Sequence, residues 1–276
     1  MKNIKRNKKF FSSLSCPSIK SIDIDTNPKA IILGSLLGDG CLKINQGCKN
    51  ARFSFRHSIT QQEYFMWKRN QLHKDFSSSK DFWEQKPNKK AKDYEGHKLR
   101  YQSKALPWLT NLYFITHKRG VNNNIRIWRK WLNFMTPLSL AIWWCDDGSL
   151  VKNTKQGVFC TDSFTWKDMK ILDRYMKIVW KISTKIYPVG LTRKDGNKRY
   201  RLWITSTKEL EKFLKIIIPH IPTYSMLYKV LILYKDSEFQ QRWISEIVNN
   251  SKFTKDQVEQ VIFERKNQLK FFQRKI

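Results

Sequence analysis

ILGSLLGDG, Ile32 to Gly40, decides the fold, because it reads as a helix written against its own stability. Gly34 and Gly38 each cost a helix interior roughly 1 kcal/mol relative to alanine. The stretch also ends on Asp39, where the helix dipole disfavours negative charge. The two glycines are four residues apart and share a face, so they allow a second helix to approach closely. The sequence supplies that helix once, in LSLAIWWCDDG, Leu138 to Gly148. Pro28 and Pro137 each follow an Asn or Thr, as a first-turn proline follows an N-cap. Both segments close on Asp-Gly, at Asp39-Gly40 and Asp147-Gly148, with glycine in the natural C-terminal stop position.

The echo continues downstream. Thr60 and Glu63 form a capping-box pattern before Tyr64, Trp67 and Leu72, and Thr165 and Asp168 do so before Met169, Leu172 and Val179. Ser103 precedes Leu106, Leu109 and Leu112; Ser206, with Glu209, precedes Leu210, Phe213 and Ile217. The offsets are 147−39 = 108, 165−60 = 105 and 206−103 = 103, a register that three unrelated elements would not share. Between these helices lie stretches with a period of two. Ala51, Phe53 and Phe55 alternate with Arg52, Ser54 and Arg56; Leu99 and Tyr101 with Lys98, Arg100 and Gln102; Tyr200, Leu202 and Ile204 with Arg199, Arg201 and Trp203. Lys43 and Asn45 alternate likewise with Leu42 and Ile44. Each half therefore reads helix, hairpin, helix, hairpin, helix, with one sheet face apolar and the other basic.

The 276 residues carry 53 Lys+Arg against 23 Asp+Glu, a net charge of +30, which points to a polyanionic partner, nucleic acid first. Lys43, Arg52, Arg56, Lys98, Arg100, Gln102, Lys152, Arg193, Lys198, Arg199 and Arg201 are the candidate contacts, the side chains that can reach major-groove base edges or phosphates. Cys16, Cys41, Cys48, Cys145 and Cys160 contain no C-x-x-C pair and argue for neither a disulfide framework nor a structural zinc site. No apolar run approaches the ~20 residues of a membrane span. The basic start, MKNIKRNKKFF, lacks the apolar core of a secretory signal and suits an arm on nucleic acid. His57, His73, His97, His117 and His220 fit no zinc spacing and read as surface or phosphate-contacting residues. Trp143 and Trp144 read as core. From Ser251 onward, Thr254 and Gln257 form another capping box before a sparse stripe of Val258, Ile262 and Leu269.

Packed with their N-termini together, the two Asp-Gly helices bring Asp39 beside Asp147. Two close carboxylates raise each other's pKa and oppose two helix dipoles, penalties that a divalent cation removes. Oxygen ligands of this kind suit magnesium, which fills its remaining positions with water and phosphate oxygens. Asp146 is a second candidate ligand, although the repeat register favours Asp147.

These residues resemble the LAGLIDADG homing endonucleases in their single-chain, two-motif, organellar intron-encoded form. Ile32 to Gly40 and Leu140 to Gly148 match the signature helices, and the resemblance spans Asn27 to Lys229. It implies an α+β fold: two pseudo-symmetric αββαββα repeats with saddle-shaped antiparallel sheets and a central two-helix interface. The implied organisation is a basic arm at 1–25, a first repeat at 26–120, a linker at 121–135, a second repeat at 136–235 and a helical tail at 236–276. The implied activity is cleavage of both strands of a long asymmetric DNA site, bound in the major groove by a monomer. Asp39 and Asp147 would share Mg2+, with Mn2+ as a substitute. One basic residue per half would act near the metal, Lys229 in the second and Lys118 or Arg119 in the first, with Lys118 fitting the repeat better. Asp162, with Arg56 or His57 opposite, would support the metal's water network. The family also includes RNA maturases that bind their own intron, and a non-cleaving DNA-binding regulator is a third possibility on the same fold. Abundant Lys, Asn and Ile suit an A/T-rich mitochondrial or chloroplast intron, or a bacterial or phage source.

Overall fold

The computed structural model describes residues 26–86, 96–117, 125–151, 155–192, 196 and 198–273. The expected arm, Lys118, Arg119, Lys152 and Arg193 lie outside them. The first repeat runs α1 (Thr26–Leu37), β1 (Gly40–Lys43), β2 (Arg52–Ser58), α2 (Gln62–Phe76), β3 (Phe82–Gln85), β4 (Lys98–Gln102) and α3 (Pro107–Thr116). A short helix, α4 (Arg129–Leu132), precedes the second: α5 (Pro137–Asp147), β5 (Gly148–Leu150), β6 (Gly157–Phe159), α6 (Trp166–Val179), β7 (Lys185–Thr192), β8 (Lys198–Ile204) and α7 (Thr207–Ile217). Helices α8 (Ser237–Asn250) and α9 (Lys255–Gln273) follow.

The two sheets have the same antiparallel order, β1-β2-β4-β3 and β5-β6-β8-β7, so the sequence repeat is a structural repeat. Period-two patterning sets their faces. Phe53, Phe55, Leu99 and Tyr101 are buried, whereas Arg56 is exposed and Arg52, Arg100 and Gln102 are half-buried on the other side. The expected core role of Trp143 and Trp144 holds, since both are fully buried and their rings pack on Phe159.

Helix α5 begins as its sequence dictates. Thr136 and Ser139 form a reciprocal capping box and Pro137 occupies the first turn. Thr165 with Asp168 and Thr254 with Gln257 likewise cap α6 and α9. Two expected starts are corrected. Glu63 accepts the backbone N–H of Ser225 rather than closing a box with Thr60, and a 3-10 turn with Ser58 as its cap precedes α2. Ser103 accepts the N–H of Phe53, and α3 starts instead at Leu106-Pro107.

The role assigned to the terminal glycines also changes. Gly148 is extended, with φ −79°, and not left-handed. What requires glycine is space: a Cβ there would lie 2.1 Å from a ring carbon of Trp144, and one at Gly40 would lie 2.7 Å from Ser35 Cβ.

Candidate active site at the two helix ends

Helices α1 and α5 pack in parallel, and the glycines of α1 make that possible. A Cβ on Gly34 would sit 2.3 Å from the Ser139 carbonyl oxygen, and one on Gly38 would sit 2.5 Å from Asp146 Cβ. The small face of α1 thus receives the larger side chains of α5, an asymmetric fit. It delivers the C-terminal ends of both helices, with Asp39 and Asp147, to one place.

The two carboxylates answer differently to that placement. The pKa of Asp147 is pushed up to about 8, first by burial and then by the negative charges of Asp39 and Asp146, with Lys229 opposing. No hydrogen bond to its carboxylate is present among the described residues. Burial also pushes Asp39 upward, but His57, Lys68 and Lys229 outweigh it and leave its pKa below the ordinary value. Its side chain is 40% exposed, at the mouth of the site. Lys229 is buried beside both. Its Nζ donates to the Gly148 carbonyl at 2.6 Å, and its own carbonyl accepts from Trp144 Nε1 at 2.8 Å. A buried Asp147 carboxylate raised by the charge of Asp39, with both acids at negative helix ends, fits a hard divalent cation that Asp39 and Asp147 would hold.

Asp146 has a different role from its neighbour. Its carboxylate is fully buried and accepts from Tyr64 Oη at 2.7 Å and from Lys68 Nζ at 3.0 Å on both oxygens. The Asp39 backbone N–H also faces Asp146 Oδ2, at 3.3 Å. Asp39, His57 and Asp146 do cluster, with donor atoms within 4.8 Å of one another. The Lys68 ammonium in their midst makes Asp146 an internal counter-ion and opposes a cation there. Of the two neighbouring acids, Asp146 is thus the one tied to a lysine, and Asp147 the one whose carboxylate has no hydrogen-bonded partner among the described residues.

His57 and Lys68 are residues at the site that sequence reasoning misjudged or missed, and His117, also expected at the surface, is buried at the end of α3. His57 is buried, not a surface residue, with Nδ1 3.3 Å from Asp39 Oδ2. Both carried a signal. His57 falls on the apolar parity of β2 with Phe53 and Phe55, and Lys68 sits four residues from both Tyr64 and Leu72 on the buried stripe of α2. Asp162, expected to support metal-bound water, accepts two bonds of 2.9 Å from Arg201. Its charge still acts on Asp147. Arg201, a candidate DNA contact, is thereby fixed in place.

On the first sheet's polar face, like charges stand directly opposite: Lys43 pairs with Arg52 and Arg56 with Arg100. Such pairs are destabilising in a free sheet, and a polyanion offsets that cost. Trp83, 43% exposed, flanks Arg100 with 5.9 Å between guanidinium and ring. The second sheet sets Lys185 beside Trp203, Tyr187 beside Arg201, Val189 beside Arg199 and Thr192 beside Lys198, and is less densely charged.

The LAGLIDADG DNA endonuclease family matches residues 29–213. The chain belongs to that family. Relatives include both endonucleases and maturases. The cytochrome b mRNA maturase bI2 of Saccharomyces cerevisiae is 29% identical over 218 residues, 75% of this chain and 48% of that protein. DNA endonuclease I-ChuI of Chlamydomonas applanata is 26% identical over 73% of this chain and 93% of its own length. Protein RecA of Mycobacterium gastri is 28% identical over 73% of this chain and 46% of that protein. The chain thus spans about half the length of some curated relatives it matches. Among solved structures, the homing endonuclease I-WcaI bound to its DNA recognition sequence superposes with a TM-score of 0.62 at 21% identity, covering 76% of this chain and 88% of that one. The expected two-repeat α+β fold is therefore the observed one. No described helix is long and apolar enough to cross a membrane.

Proposed function

We propose that the chain is a monomeric, site-specific double-strand DNA endonuclease that recognises a long asymmetric target and promotes homing of its own organellar intron. The observation that carries this reading is the convergence of Asp39 and Asp147 at two close-packed helix ends, with buried Lys229 beside them, between two sheets with basic faces. When bound, Mg2+ or Mn2+ supplies polarisation of the phosphodiester and activation of water. Asp39 and Asp147 hold the cation, and the Asp147 carboxylate enters its charged form in doing so. Lys229 Nζ, fixed on the Gly148 carbonyl, orients water or stabilises charge on the phosphate. Lys118, or Arg119, is proposed for the same task in the first half. Lys43, Arg52, Arg56, Lys98, Arg100, Gln102, Lys152, Arg193, Lys198 and Arg199 hold the duplex, and Arg201 joins them from its fixed position on Asp162.

The test is selection of cleaved sites from a randomised DNA library with Mg2+, alongside the Asp39→Asn/Asp147→Asn double variant. Cutting at one long site should vanish in the variant while DNA affinity stays within about threefold, the pattern of lost transition-state interactions. A double variant that still cuts both strands would overturn the assignment. The likeness to maturase bI2 favours one second reading, an RNA maturase acting on its own intron. Tight binding without cutting of any DNA would support it, with intron RNA the next ligand to test.

A further inference from the structure

Asp39 is held from two sides by residues with no place in the proposed cleavage chemistry. Lys68, fully buried on α2, spends two N–H bonds on Asp146, which belongs to the other repeat. Its Nζ also lies 3.4 Å from His57 Nε2. Nε2 lies nearer to this ammonium than to Asp146 Oδ1, 3.9 Å away, and an ammonium donates and cannot accept, so the arrangement favours a lone pair on Nε2. With the lone pair on Nε2, the ring proton sits on Nδ1. That buried nitrogen makes no regular hydrogen bond, and the acceptor it faces is Asp39 Oδ2 at 3.3 Å. The contact is long, as such bonds commonly are before substrate tightens a site. Asp146 completes the arrangement by facing the Asp39 backbone N–H. One buried ion pair between the halves thus reaches both the main chain and, through His57, the carboxylate of Asp39. Packing of His57 against Phe55, Tyr64 and Phe65 fixes the ring plane.

We propose that Lys68 and His57 are positioning residues for Asp39: Lys68, anchored on Asp146, sets the His57 tautomer, and His57 Nδ1–H orients the Asp39 carboxylate. This rests on the reading of Asp39 as a metal-holding residue. It differs from His57 being a metal ligand, which would need a bare Nδ1. It also explains why a lysine and a histidine occupy positions that the patterning reserves for apolar side chains.

The tautomer is read directly from the ring nitrogen-15 shifts of His57 in the full chain at neutral pH, with His57→Gln identifying the signals. The expected result is a proton on Nδ1; a proton on Nε2 with Nδ1 bare overturns the proposal. Cleavage then separates two isosteres, since an asparagine amide nitrogen falls near Nδ1 and a glutamine one near Nε2. His57→Asn should keep most of the cleavage rate, whereas His57→Gln should lose about 10- to 100-fold in rate or in metal affinity, the usual effect of removing a group that orients a metal ligand. DNA affinity should stay unchanged in both. Equal activity of the two variants would overturn the proposal. If the unsubstituted chain cuts no DNA, the endonuclease reading fails, while the tautomer measurement still decides the Lys68 to His57 arrangement.

Discussion

The two repeats share a topology and differ in what fills them. Beneath the first sheet lie ions and polar groups: Lys68 and Asp146 fully buried together, His57 against Asp39, Asp81 bound by Arg69, and His117 at the end of α3. Aromatic rings pack under both sheets, Phe53, Phe55, Phe65 and Tyr101 in the first half and Trp143, Trp144, Phe159 and Phe213 in the second, but among the described residues the second half has no fully buried ion pair. The second repeat's counterpart ion pair, Asp162 with Arg201, sits at the surface, its side chains 29% and 33% exposed. One backbone pattern therefore accommodates two kinds of interior, and the chemistry at each helix end follows the interior. Asp39 faces His57, Lys68 and Lys229 and is held below its ordinary pKa, while Asp147 is buried near the carboxylates of Asp39, Asp146 and Asp162, with Lys229 opposing, and is pushed to about 8.

Breaking one ion pair in each half gives the largest contrast. Lys68→Met leaves Asp146 buried without its counter-ion and should cost about 3–5 kcal/mol in chemical denaturation. Arg201→Met removes a half-exposed pair and should cost under about 1 kcal/mol. Equal losses would mean that the buried pair does not brace the first half. Asp146→Asn belongs with Lys68→Met, because it also strands a buried charge; a fully stable Asp146→Asn would contradict the network described above.

The helix interface offers a smaller contrast. Gly34→Ala and Gly38→Ala each force a methyl group into backbone or Cβ atoms of α5 and should destabilise by about 1–3 kcal/mol. Gly190→Ala in β7 meets nothing within 4 Å and should stay within about 0.5 kcal/mol of the parent. If Gly34→Ala proved as mild as Gly190→Ala, the close approach of α1 and α5 would lose its physical basis.

The same contrast explains what was legible in the sequence. The repeat, the Asp-Gly helices, the strand parity and the close-packing glycines all follow from local spacing, and each appears where that spacing puts it. Capping at Thr60 and Ser103 failed because Glu63 and Ser103 found partners distant in sequence, Ser225 and Phe53. His57 and Lys68 were misread for a related reason. A polar residue on an apolar stripe is informative only once its partner is known, and Asp146 lies 78 residues from Lys68. The raised pKa of Asp147 was anticipated from paired carboxylates, but not the lowering at Asp39, which depends on His57, Lys68 and Lys229 around it.

A pH-dependent contrast tests the polar interior of the first half at the end of α3. His117 is buried, stacked on Tyr113, with its Nδ1 2.9 Å from Thr116 Oγ1. Burial lowers its pKa from 6.5 to about 4. Between those pH values the unfolded chain binds a proton that the folded chain refuses, so stability must fall as pH drops through that window and be fully present above it. His117→Gln cannot titrate and should show a flatter dependence of the denaturation midpoint between pH 7 and about 4. At the matching end of α7 the second repeat has Ile217 and Ile218, both buried, and then His220, whose pKa burial also lowers, so the slope removed in His117→Gln is only part of the total. An unchanged slope in His117→Gln would place the acid sensitivity elsewhere in the chain, and would mean that a buried histidine here folds as readily charged as neutral.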